Sequence, residues 1–296
     1  MQRISVTRLI ARLLFLVPLA ALLYNPLGLA AAIGPFLGAA SGFAALAGGP
    51  ADGAVTCTNS TVAGDVGVVF PGTFTNTGCT IAGTVDTDAT EAYADFLAAY
   101  GALQFADPCD QILTGTLAGV TLPPGVYCFP AAATLTGTLT LDGPADGVWI
   151  FKIGTLGTGA LTGTSFTVVM AGDAADASCP NVYWWVAQDA TMTSSFFQGT
   201  VLAGADITLT GGSFIGEALA GGTGTIVDPT GAVTFTGSTV TACPAAGGPV
   251  VHTRVKCNQG VGNGPEGCDP GNSNHRNPSN DEGGGTPGNP GRKPVK

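Results

Sequence analysis

Charge is what this chain of 296 residues has least of. Asp, Glu, Lys and Arg make up 10% of it, against about a quarter in an ordinary globular protein. The basic residues are the scarcer half: between Arg12 and Arg254 there is one, Lys152, set against sixteen Asp and Glu from Ala31 to Cys243. A polyanion would find no row of lysines or arginines to displace the counterions along its phosphates. Nucleic acid is therefore excluded as a partner, and a nucleotide site fails for the same reason. Histidine is missing from that stretch too, His252 and His275 being the two in the chain. With no His or Arg, and with carboxylates such as Asp142, Asp146, Asp173 and Asp176 scattered at turn-like positions, the paired acid and base of a hydrolase or lyase are not available, and a Ser or Cys nucleophile would lack its base. The expectation is that the protein is not an enzyme. The closest two cysteines, Cys257 and Cys268, stand eleven residues apart, and the carboxylates do not cluster, so no metal and no cofactor is expected.

What the chain does have is threonine in alternation. Ala190–Ala203 reads ATMTSSFFQGTVLA, and seventeen residues on Ile207–Ala220 reads ITLTGGSFIGEALA. The same x-T-x-T kernel opens at Ala133 and Val233, so the copies begin at 133, 190, 207 and 233, at unequal steps. A repeat of this kind, rich in β-branched residues, implies stacked coils that bury a shared core, and unequal steps imply coils of unequal length. The period within each kernel is two, which sends apolar side chains inward and threonines outward.

One segment changes period. Asp88 with Glu91 three residues on is a capping signal, and Ala89, Ala92, Tyr93, Phe96, Leu97 and Tyr100 follow at helical spacing, predicting a helix from about Asp88 to Gly101. In NVYWWV, Val182, Trp184 and Val186 fall on one side and Tyr183 with Trp185 on the other. That second pair suits either a platform for a sugar ring or a seat beneath the helix.

The ends read differently from the middle. Arg3, Arg8 and Arg12 precede the apolar run Leu13–Leu23, and small residues follow at Gly28, Ala30 and Ala32, so residues 1–32 are expected to be a secretory signal and the protein extracellular. The alternative is an uncleaved anchor at the cell surface, whose helix Asn25, Pro26 and several glycines would interrupt. Eight cysteines in an exported chain read as disulfides. Proximity in sequence pairs Cys57 with Cys79, Cys109 with Cys128, Cys179 with Cys243 and Cys257 with Cys268, the third expected to clamp the first and last turns of the repeats. Residues 33–243 are then the folded domain and 244–296 a tail. The last fifty residues hold twelve Gly, seven Pro and no aromatic residue, and so cannot build a core.

Several segments match, in order, a known family. LGAASGFAALAGG with STVAGDVGV, LTGTLAGVTLPPGVYCF, LTGTLTLDGPADGVWIFKIG, CPNVYWWV and FIGEALA together resemble the ice-binding proteins of the DUF3494 type, across about residues 37–243. The resemblance implies a mostly β fold, a discontinuous right-handed β-solenoid of triangular section with one long α-helix alongside. It also implies a monomer whose partner is ice or its ordered surface water, held by a flat row of Thr and Ser in the pattern T-A/G-x-T/N. Thr236-Gly237-Ser238-Thr239 fits that pattern, and Thr162-Gly163-Thr164-Ser165 and Thr210-Gly211-Gly212-Ser213 fit it with Ser in the last place. The expected face is Thr162, Thr164, Thr193, Thr210, Ser213, Thr236 and Thr239, with the bulky Phe196 as its weak point. The alternative on the same scaffold is a surface or adhesion module that engages an extracellular polysaccharide or cell-surface partner and has no affinity for ice.

Overall fold

A computed structural model describes residues 32–49, 53–105, 108–176, 179, 181–222 and 231–243. The expected signal segment (Ala32 apart), the tail 244–296 and the Cys257–Cys268 pairing lie outside the described residues.

The alternating kernels form parallel strands stacked in register. In each full coil the chain runs along three sides. One side belongs to a nine-stranded parallel sheet, and the other two belong to an eleven-stranded sheet that bends at a corner. The corner is local chemistry. The residue that follows the second threonine of each kernel has positive φ: Gly78 (76°), Asn59 (48°), Gly237 (61°), Gly211 (65°), Ser194 (50°), Ser165 (47°) and Gly137 (72°). Glycine and, at some cost, Asn or Ser enter that left-handed region, and one such residue per coil turns the strand onto a new plane. The result is a β-solenoid of triangular section.

Its interior is apolar on all three sides. Tyr127 and Phe151 stack from adjacent coils with ring centroids 5.4 Å apart, and Phe151 stacks on Trp184 at 4.0 Å with planes 10° apart, close to the rise of about 4.8 Å between neighbouring strands. At the corner the ladder is interrupted, and buried serines supply the missing partners. Ser238 Oγ donates to the carbonyl of Leu209 at 3.1 Å, Ser195 Oγ accepts from the Phe166 N–H at 3.2 Å, and Ser60 Oγ accepts from the Ser238 N–H at 3.0 Å. Buried polar groups without such partners would cost stability.

The coils do not stack in chain order. The strand Phe43–Ala47 pairs with Ala218–Ala220 on one side and with Asp65–Val68 on the other, so the first coil stacks upon the last. The strand Thr73–Thr77 then ends the stack. The one α-helix among the described residues, α1 (Thr90–Phe105), carries the chain back to the opposite end. At 1.5 Å per residue its sixteen residues reach about 24 Å, some five coil steps. The helix starts two residues later than the capping signal predicts and passes through Gly101, because Leu103, 1% exposed, continues the buried stripe of Ala92, Phe96, Ala99 and Tyr100. That stripe packs on the outer side chains of the nine-stranded sheet, among them Leu46, Ile150, Trp185, Leu202 and Leu219. Tyr93 and Tyr100 lock it, donating from their hydroxyls to the carbonyls of Gly221 (2.6 Å) and Val186 (3.2 Å). Burial pushes the Tyr93 phenol up to about 12.

Disulfides join Cys57 to Cys79, Cys109 to Cys128 and Cys179 to Cys243. The third does not clamp the ends of the stack. Coils built from residues 54–86 lie beyond the one that leads to Cys243, so the bridge ties the exit of the strand Thr239–Thr241 to the turn before Asn181–Val186. Among the described residues no helix is long and apolar enough to cross a membrane.

Candidate functional site

Of the three sides, the nine-stranded sheet is covered by α1. The two sides of the bent sheet carry threonine. Before the corner, the strand register aligns Thr75, Thr56, Thr234, Thr208, Thr191, Thr162 and Thr134 in one column. Two residues further along each strand, Thr77, Thr58, Thr236, Thr210, Thr193 and Thr164 align in a second. Thr136 stands two residues beyond Thr134 in the next strand, immediately before its corner glycine. Seven successive coils thus present T-x-T with no interruption.

The intervening residues explain why the columns hold. Cys57, Phe235, Leu209, Met192 and Leu135 lie between the two threonines of their coils, and all are buried. The first column is half-buried along most of its length, and the second is more exposed at Thr77, Thr236, Thr210 and Thr164. Threonines two apart on a strand are separated by about 6.6–6.8 Å and neighbouring strands by about 4.8 Å, so the two columns span roughly 29 Å over six steps of the stack. Stacking and side-chain ladders hold a sheet against its natural twist, and both are present here.

No charged group sits in either column. Asp189 and Asp206, each two residues before a threonine of the first column, are engaged in coil-to-coil hydrogen bonds. Asp189 Oδ1 accepts from the Asp206 N–H (3.1 Å) and Asp206 Oδ1 from the Ala232 N–H (2.8 Å). Among the described residues no group of His, Cys, Asp and Glu is placed to hold a metal ion. The surface offers neutral hydroxyls and methyls on a rigid rectangular grid.

The seven residues expected to share a face do not all share one. Thr162, Thr164, Thr193, Thr210 and Thr236 lie in the two columns before the corner, whereas Ser213 and Thr239 lie beyond it. The pattern T-G-x-T straddles the turn, since the glycine in it is the corner residue. Phe196 is also beyond the corner, paired with Thr167 and Ser213, and therefore does not interrupt the double column. The expected face omitted nine of the fourteen threonines: Thr134, Thr136, Thr191, Thr208 and Thr234, which lie in recognised x-T-x-T kernels, and Thr56, Thr58, Thr75 and Thr77, which do not. The T-x-T spacing of the last four was visible, but Cys57 and Asn76 occupy places where the other kernels carry an apolar residue.

The platform alternative fares differently. Trp185 is 4% exposed, with its ring 5.3 Å from that of Tyr100 on α1. Tyr183 is half-buried, and a side chain at Gly34 would meet its ring at 2.7 Å. The Trp185 ring is committed to packing, and the Tyr183 ring is covered in part.

A family model described as ice-binding-like matches residues 37–241. The chain belongs to the ice-binding-like family. An ice-binding protein of Nostoc sp. (strain HG1) is 39% identical over 123 residues, covering 40% of this chain and 43% of that protein. Ice-binding protein K3-B1 of Typhula ishikariensis is 35% identical over 95 residues, covering 31% of this chain and 36% of its own. The chain thus spans less than half the length of these curated relatives. Among solved structures, an ice-binding protein from an Antarctic biological consortium superposes with a TM-score of 0.62 at 30% identity, over 73% of this chain and 95% of that one. An ice-binding protein from an Antarctic Flavobacteriaceae bacterium gives 0.61 at 37% identity, over 74% of this chain and 49% of that one. The three disulfides among the described residues suit an oxidising compartment.

Proposed function

We propose that this protein binds ice through the double threonine column and thereby restrains ice growth and recrystallisation outside the cell. The observation that carries the reading is the unbroken T-x-T register over seven coils on a side that α1 leaves open. A grid of hydroxyls and methyls with fixed spacing orders the water above it in two dimensions, and that layer merges with an ice surface. Each contact is weak. Affinity comes from area and from a rigidity set before binding, so little ordering entropy remains to oppose adhesion. Binding of this kind needs no charge, as befits a face without a titratable group, and the ice-binding names of the relatives support it. Burial of Trp185 beneath α1 weighs against a paired sugar platform with Tyr183 and so favours the ice reading over the adhesion one.

Partition into growing ice tests the proposal. The oxidised protein should enter a slowly grown ice hemisphere, and Thr210→Tyr, at the middle of the second column, should stay in the liquid with its fold intact. A folded Thr210→Tyr that partitions as the parent does would overturn the assignment.

A further inference from the structure

Past the corner, a third hydroxyl column runs the length of the solenoid with one exception. Register pairs align Thr138, Thr167, Phe196, Ser213, Thr239, Thr61 and Thr80. Six of these seven carry a hydroxyl, and the seventh is a phenyl ring that is 60% exposed. In the four coils on one side of Phe196, the second and third columns are joined by two residues only: Thr210 to Ser213, Thr236 to Thr239, Thr58 to Thr61 and Thr77 to Thr80. The first of those residues makes the turn and the second is small and faces inward, Ser238 and Ser60 being buried. Columns two and three therefore define a second plane of hydroxyls, inclined to the first and sharing its edge.

From this geometry we infer that Phe196 is a specificity-determining residue: it confines the protein to those crystal planes of ice that match the double threonine column, by holding ice off the second plane. The inference rests on the threonine-face reading. Its physical basis is that ice is flat and unyielding. A missing methyl leaves a gap that a water molecule fills, whereas a ring standing above its neighbours separates the entire column from the crystal, so one residue in seven decides the outcome. Thr167 and Ser213, on either side of the ring, are half-buried and leave it the most prominent group of its column's centre. The column is otherwise continuous, which is why a single substitution should restore it. Because the ring is mostly exposed, its removal also spares the core.

The test reads which planes of a single-crystal ice hemisphere take up fluorescently labelled protein. The parent should label one set of planes. Phe196→Thr should label that set and a further one, and Phe196→Ala, which removes the ring without adding a hydroxyl, should do the same more weakly. The double variant Thr191→Tyr/Phe196→Thr should label only the further set, since the bulky tyrosine then stands in the first column, which belongs to the first plane alone. Labelling of identical planes by the parent, Phe196→Thr and Phe196→Ala would overturn the inference while leaving the threonine face in place. A parent that labels no plane would overturn both, because Phe196 would then have nothing to select.

Discussion

Glu217 shows how a single buried side chain can make the stability of this fold depend on pH while its proposed binding face does not. It is 2% exposed and sits at the entry to the strand Ala218–Ala220, where its carboxylate accepts from Thr200 Oγ1 and from the Gly42 N–H. Loss of hydration outweighs those bonds and pushes its pKa up to about 7 from 4.5. The folded state thus favours the neutral acid. Its contribution is complete below pH 4.5 and is lost as pH rises through about 7, a change on the order of 3 kcal/mol. Urea unfolding followed from pH 4.5 to 8.5 should show that decline, and Glu217→Gln should flatten it. Ice affinity of the folded protein should stay constant over the same range, because no titratable group lies in the threonine columns. A pH-dependent affinity without loss of fold would speak against a neutral face.

Among the elements, the corner and the helix put the same residue to opposite uses. Gly101 lies inside α1, and an added Cβ there would meet no atom within 4 Å; Gly237 lies at a corner with φ of 61°, and an added Cβ there also meets nothing. Space being equal, backbone conformation alone decides the sign. Gly101→Ala should raise stability by about 0.5–1 kcal/mol through helix propensity, and Gly237→Ala should lower it by about 1–2 kcal/mol through left-handed strain. Paired denaturation curves check both. The corner also marks where sequence reasoning lost the site. Alternation revealed which threonines face outward on each strand, but T-G-x-T reads as a single motif in one dimension. The turn inside it is visible only once several coils are aligned, when Asn59, Ser165 and Ser194 prove to occupy the glycine's place. The helix was legible because its apolar stripe needs no partner to be recognised. Its end was not, because Gly101 looks like a stop and only the packing of Leu103 shows that it is passed.

At the scale of the whole molecule, the repeats announced a solenoid with a shared core, but the stacking order of its coils was hidden. Nothing in the sequence around Ala54–Thr77 says that these strands pack beyond the last repeat, since that order follows from α1 spanning the stack and returning the chain to its far end. One consequence concerns Cys57–Cys79. This bridge joins the last two coils of the stack, where the strand Thr73–Thr77 has a neighbour on one side only. Cys57→Ser/Cys79→Ser should cost about 2–4 kcal/mol and should raise amide exchange first in residues 73–81, with the coils from Ala133 to Ile215 still protected. Uniform exchange across all coils would show that the end coil does not depend on the bridge.

The rigid array is a property of the entire stack, and so is the proposed function. The central claim is that the two columns before the corner, and not the third column beyond it, meet the ice. Thermal hysteresis of a matched pair tests it most directly: Thr210→Tyr in the second column and Thr239→Tyr in the third, each verified as folded with its disulfides formed. The account predicts that Thr210→Tyr loses nearly all of the parent's hysteresis and that Thr239→Tyr keeps it. Equal loss in both variants, or retention by Thr210→Tyr, would contradict it.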